Sequence, residues 1–390
     1  MSTFTFQTVP PALTQTQFNA ERQAIADKIN GITLDGVRAY AYNYLVRKNG
    51  VVYEAIDHTA NLRYGGSIDA GEVSGASFSA VMQACINDLT SGGLIIISQG
   101  SHTLDGNIAV NSAGIEIWGA SKTGSIITAK NSLNAHMFTV TGNYCGIYNL
   151  KLDGNKANQA GAATTVCGIY ANNVIAFKCE SNFITNCFGY NLYLYYGGVH
   201  YITNNRLTSG GYGQILCSTL TDTGIIGNDF GNNSEAGYSS LVISGCNMLR
   251  IVANSIYMGN SYNIDLSNSR RIMIIGNIMQ AALQEGIIIR ANSHNCNISN
   301  NVLVNDSVTS ANAYSSINVI GYNNTITGNQ IYNTAPPVGT KYAILFDVSS
   351  YDNICYGNYV DGNTAGIGGA EAGTRNVIRD NINFITENKG

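Results

Sequence analysis

One spacing constrains this chain more than any other feature. The pattern aliphatic-x-x-Asn-x-aliphatic recurs at Asn155, Asn182, Asn205, Asn228, Asn254, Asn277, Asn301, Asn329, Asn358 and Asn381. The steps between these residues are 27, 23, 23, 26, 23, 24, 28, 29 and 23. A constant motif with a variable step describes one structural coil with insertions in its loops. Around each Asn the apolar residues alternate with period 2, the periodicity of strands, and no 3.6-residue period is present. A further short strand follows in each repeat, as in Leu192-Tyr193-Leu194, Leu241-Val242-Ile243 and Ile287-Ile288-Ile289. Strands, polar turns and no helix between coils give a parallel β-solenoid. At about 4.8 Å per coil, roughly 12 coils make a rod of roughly 55–60 Å.

Composition supports this and excludes other classes. Charged residues are 11% of 390, against about 25% in an ordinary soluble domain. The chain carries instead 43 Gly and 49 Asn, the residues that accept left-handed turn geometry. A coiled coil and a disordered chain are both excluded. A net charge of −4 with few cations argues against nucleic-acid binding. No apolar run is long enough for a membrane span, and the start lacks the pattern of a signal peptide. The nine Cys have no metal-ligand spacing and read as small buried thiols made in a reducing compartment.

Residues 77–89 read as an amphipathic helix with Ser77 as N-cap and Gly92-Gly93 as its stop. The run Leu94-Ile95-Ile96-Ile97 then opens the first strand. A helix placed here covers the open end of the solenoid, which otherwise exposes apolar side chains and a strand edge. The Asn column, this helix, the Gly-Gly break and the strand after it resemble the right-handed parallel β-helix of the pectate-lyase-like superfamily. Within that group of polysaccharide lyases, glycoside hydrolases and bacteriophage tailspikes, the likeness is greatest to a tailspike. It covers about residues 68–385.

The resemblance implies an all-β right-handed parallel β-helix over residues 94–390, a linker and capping helix over 68–93, and a virion-attachment-like module over 1–67. Within that module residues 16–30 suit a helix. Residues 44–54 suit a hairpin with Asn49-Gly50 at its turn. It also implies a receptor-binding protein of the virion tail, made in the host cytoplasm, that attaches to host-surface polysaccharide with or without cleaving it. The implied partners are the host glycan, two further copies in a homotrimer, and a tail or adaptor protein at the N-terminus. No cofactor, metal or membrane insertion is implied. Two alternatives stay open: a polysaccharide-degrading enzyme unconnected to a virion, and a non-catalytic fibre or adhesin.

Period 2 sorts the strand after each Asn. Leu192, Ile215, Leu241, Ile264, Ile287, Ile317 and Ile344 point inward. Tyr170, Tyr193, Leu216, Val242, Asp265, Ile288, Asn318 and Leu345 then point outward. The apolar members of that outer column suggest a stripe covered by another subunit or by a loop of the same chain. Glycoside hydrolysis needs two carboxyl groups about 5–9.5 Å apart. The catalytic candidates are Asp265, Glu285 and Asp347, with Arg290 in salt-bridge reach of Asp265. Solvated surface is the plainer reading of the same residues. Tyr170, Tyr190, Tyr193, Tyr195 and Tyr196, with Arg290, form a candidate glycan site, because aromatic rings stack on the apolar faces of sugars. An intersubunit aromatic cluster is the alternative. His200 reads as a surface residue, and the Asp-Gly-Asn tripeptides at 105, 153 and 361 as turns. The polygalacturonase motifs are absent.

Overall fold

The computed structural model describes residues 42–57, 63–64, 77–231, 237–308, 310, 313–332, 340–363, 365–369 and 375–385. The chain divides into a first unit, Met1–Tyr42, and a second unit, Asn43–Gly390. The expected helix over residues 16–30 lies outside the described residues.

Each coil contains three strands. One coil runs through Lys178–Glu180, Phe183–Thr185 and Tyr190–Gly198. The next runs through Tyr201–Thr203, Arg206–Thr208 and Gly213–Thr221, and each strand pairs in parallel with its counterpart. Repetition builds three sheets of 15, 12 and 11 strands, called here the first, second and third in chain order. This second unit is a right-handed parallel β-helix of about 11 turns. The sequence motif around each Asn is thus two strands flanking a corner, one in the first sheet and one in the second.

The hairpin forms as expected, with Tyr44–Asn49 antiparallel to Val52–Asp57 and Gly50 at φ +62° in the turn. It does not stand apart from the solenoid. Tyr44, Leu45 and Val46 pair in parallel with Ile95, Ile96 and Ile97, so the hairpin extends the first sheet by further strands.

Helix α1 spans Phe78–Asp88. The Ser77 hydroxyl accepts from the Ala80 N–H at 3.0 Å, satisfying one of the unpaired donors of the first turn. Its apolar face (Phe78, Val81, Met82, Cys85, Ile86) is buried. Its polar residues serve the sheet edge. Gln83 brackets Ala109 in the terminal strand of the third sheet, accepting from its N–H at 2.9 Å and donating to its carbonyl at 3.0 Å. The helix therefore both closes the core and supplies hydrogen bonds to an edge strand that has no neighbouring coil.

The inward column is as the alternation requires: Leu192, Ile215, Leu241, Ile264, Ile287, Ile317 and Ile344 are all fully buried. They stack in register from coil to coil. All nine Cys are buried free thiols.

The Asn column is a buried hydrogen-bonded ladder. From Asn182 to Asn381 each Nδ2 donates to the Oδ1 of the next Asn, at 2.9–3.2 Å. The same Oδ1 also accepts the backbone N–H of the Asn before it, as for Asn205, Asn228 and Asn254 at 2.9–3.0 Å. Two expectations need correction. Asn155 is not in the ladder: Leu150 occupies that corner position, and its N–H is what Asn182 Oδ1 accepts. Asn155 instead sits one strand later, with φ +51°, where it donates to the Ala129 carbonyl. Nor do the ladder residues supply the left-handed turn. The residue before each does so: Ser181, Asn204, Gly227, Ala253, Gly276, Asn300, Gly328, Gly357 and Asp380 all have positive φ. The turn and the ladder are separate jobs at adjacent positions. That is why the first tolerates several residue types and the second only an amide, which has a donor and an acceptor to pass along the column.

Candidate functional site

The outer face of the third sheet carries the residues singled out for chemistry. Its central column runs Tyr170, Tyr193, Leu216, Val242, Asp265, Ile288, Asn318, Leu345 in register. All point outward as expected except in degree, for Ile288 is only 4% exposed. Leu216, Val242 and Leu345 are half-buried and Ile288 is buried, so the apolar members form no fully exposed stripe.

At one end lies an aromatic run. His136, Tyr170 and Tyr193 stack ring on ring, with centroids 4.6 and 4.9 Å apart. Tyr193 then meets Tyr195 at 5.7 Å, and Tyr195 meets Tyr196 edge to face at 4.6 Å. Rings spaced by the coil rise cover each other's faces. Tyr170 and Tyr193 therefore offer edges and hydroxyls rather than open faces, and burial raises both hydroxyls above the usual tyrosine range, Tyr193 to about 12. They act as donors at any physiological pH. Tyr196, in left-handed backbone, is 47% exposed and is the most open ring of the run. Tyr190 is only 8% exposed and has little surface to offer. His136 belongs to the run but gave no sequence signal, since it precedes the strand that carries its register. Burial pushes it down to about 4, so it stacks as a neutral ring.

Three coils along the column from Tyr193 is Asp265, about 14 Å away by strand spacing. Arg290, at the end of the next coil's strand, grips it bidentately: Nε donates to Oδ1 at 2.7 Å and Nη2 to Oδ2 at 3.0 Å. Those bonds hold the guanidinium above its ordinary range. Its other face lies over the Tyr262 ring at 5.2 Å. Glu285 stands at the start of the same coil as Arg290 and is buried. Its Oε1 accepts from Asn318 Nδ2 at 3.1 Å, while Oε2 has no hydrogen-bond partner among the described residues. Burial pushes this carboxyl up. Behind it Asp306, fully buried, has its carboxyl raised by burial and by the nearby Glu285 charge. Tyr262, Asn318 and Asp306 complete the cluster. Sequence reasoning missed Tyr262 and Asp306 because they sit in connections whose length varies from coil to coil, outside the repeat.

Asp347 is not part of this group. It lies three coils and two residues from Asp265, about 16 Å by strand geometry. There it caps a turn, accepting from the Ser349 N–H at 3.0 Å and hydroxyl at 2.7 Å. His200, expected on the surface, is fully buried at the corner before the first sheet. Its Nδ1 accepts from the Phe177 N–H at 3.3 Å, the role that Asn324, Asn353 and Asn376 play later in the same column. Burial pushes it down to about 4.

Among known proteins, no family model matches the sequence and no curated protein matches it. Solved structures do match the fold. The A-module of the Azotobacter vinelandii mannuronan C-5 epimerase AlgE6 aligns over 80% of this chain and 96% of its own, at 12% identity and a TM-score of 0.62. Full-length tailspike protein 2 from a bacteriophage of Escherichia coli O157:H7 aligns over 81% of this chain and 45% of its own, at 14% identity and a TM-score of 0.60. DFA-IIIase from Arthrobacter chlorophenolicus A6, in complex with GF2, aligns over 84% and 99%, at 15% identity and a TM-score of 0.59. At these identities the likeness is one of fold, the parallel β-helix.

Proposed function

We propose that this protein binds a polysaccharide along the outer face of the third sheet, and that it does so as a tailspike-type receptor-binding protein. The observation that carries the reading is the arrangement on one sheet of a tyrosine run and, about 14 Å along the coil axis, the Tyr262–Arg290–Asp265–Glu285 cluster. A glycan chain lying parallel to the axis meets tyrosine edges and hydroxyls first, then a guanidinium, carboxyls and the Asn318 amide. The structural neighbours support it, since one is a phage tailspike and another acts on mannuronan, as their names state. Virion attachment and a homotrimer follow from the tailspike reading. Light scattering at known concentration tests the trimer, and a monomeric mass ends it. Binding is tested by titrating host capsule or lipopolysaccharide preparations into the wild type and Arg290→Gln. Loss of affinity in the variant is expected, and equal affinity refutes the site.

A second reading, cleavage of the bound glycan, is favoured by Glu285. A buried carboxyl of raised pKa with one unpartnered oxygen is suited to general-acid work. Asp265, tied to Arg290, is the second carboxylate. New reducing ends released by the wild type and reduced at least 100-fold in Glu285→Gln are the expected result. Binding without any release of ends leaves a non-catalytic receptor-binding protein.

A further inference from the structure

A cleft of 360 Å³ opens at the corner between the third and first sheets, on a different face from the tyrosine run. Its size falls within the range of roughly 300–1,000 Å³ typical of small-molecule sites. Two adjacent columns line it. One is the turn column Asp222, Met248, Arg271, Asn295, with φ of 49°, 61°, 56° and 55°. The other lies two residues further on, where Arg250, Met273 and Asn297 follow Gly224 in register. Buried Ile272 forms part of the lining.

The two columns alternate, with Met248 and Arg250 on one coil and Arg271 and Met273 on the next. Each coil thus presents one guanidinium and one thioether. Among the described residues neither arginine has an ion-pair partner, although the other five ion pairs described all involve arginine. In a chain with only 20 Lys and Arg, two unpaired guanidinium groups in one cleft are a concentration of cation without an internal use. Guanidinium groups bind carboxylates bidentately, and thioethers give adaptable apolar contact. Asn295 and Asn297 add amide donors and acceptors, and Asp222 at the far end accepts from hydroxyls. A ligand that needs an anion site, an apolar contact and hydroxyl partners within about 14 Å (three coil steps) is a short acidic oligosaccharide.

We infer that this corner cleft is a second carbohydrate site, selective for carboxylated sugars through Arg250 and Arg271. It is independent of the third-sheet reading. Calorimetric titration with oligogalacturonate and oligosialate, with neutral oligogalactose and with inorganic phosphate tests it. The inference requires that at least one carboxylated sugar binds, with affinity falling at high ionic strength. Neutral sugar and phosphate each bind at least tenfold more weakly. The double variant Arg250→Gln/Arg271→Asn, whose Asn tolerates the left-handed turn, loses at least tenfold. Tyr196→Asn on the other face leaves this binding unchanged, which separates the site from the third-sheet reading. Failure of both carboxylated sugars to bind overturns the inference. So does phosphate or neutral sugar binding as tightly, or an unchanged affinity in the double variant. The salt dependence of the wild type needs no variant and decides the matter even where the double variant does not fold.

Discussion

The Asn corner and the outer face of the third sheet are built by the same coils and obey opposite rules. At the corner, eight successive amide-to-amide bonds repeat with a spread of 0.3 Å, and residue type is fixed from Asn182 to Asn381. On the outer face the register is equally regular, yet the side chains change at every coil from Tyr to Leu to Val to Asp to Ile to Asn. The difference is burial. A buried amide that loses its neighbour leaves orphaned donors and acceptors, so every coil constrains the next. An outer residue has solvent as an alternative partner and is free to specialise. Function in a solenoid is therefore read where the repeat breaks its pattern, not where it keeps it.

The sharpest break of this comparison is Asn254→Ala in mid-ladder. It strands the Ile225 carbonyl and the Asn228 N–H, takes one of two partners from the Asn228 amide, and leaves Asn277 Oδ1 with only the backbone N–H of residue 254. A loss of about 3–4 kcal/mol in urea unfolding is expected, from several buried groups at ~1–3 kcal/mol each. Asn381→Ala, at the half-buried end of the ladder, costs about 1 kcal/mol. Equal losses at the two positions would show that the ladder is not a cooperative column.

Next in size is a pH effect at the other buried corner. His200 is held neutral when folded, with its pKa pushed down to about 4, whereas in the unfolded chain it protonates near 6.5. Its contribution is thus fully present above about pH 6.5 and is lost as pH falls toward 4. A loss on the order of 2–3 kcal/mol across that window is expected for the wild type. His200→Asn, which copies Asn324 and Asn353 in the same column, should flatten the profile measured by thermal unfolding from pH 7 to 4. An unchanged slope would place the acid sensitivity elsewhere, His136 being the other histidine pushed to about 4.

The smallest stability effect and the clearest functional one belong to the outer face. Tyr196→Asn keeps a residue suited to left-handed backbone and removes the most open ring. Glycan affinity should drop about tenfold, near 1.4 kcal/mol, while stability moves by less than ~0.5 kcal/mol as at other surface positions. A large stability loss with no change in affinity would mark the tyrosine run as structural.

The sequence made the coil, the strand alternation, the capping helix and the inward column legible, because each depends on a period that the chain repeats many times. Asp265 with Arg290 was legible too, since register follows from counting along one column. The cluster around them was less so. Tyr262 and Asp306 sit in connections between the second and third sheets, where coil length varies and counting from the previous coil gives no position. Asn155 shows the same weakness at a corner: it matches the motif by spacing, but Leu150 holds the ladder position.

What the sequence by itself determined is therefore the fold and the two faces of each strand, because strand pairing in register converts a linear period into stacked columns. What only the tertiary structure decided is the fate of residues at corners and on outer columns. His200 is buried, Ile288 is covered, and Tyr170 and Tyr193 hide their faces against each other. Each outcome is set by the coils above and below, about 4.8 Å away in space but some 23–29 residues away in the chain.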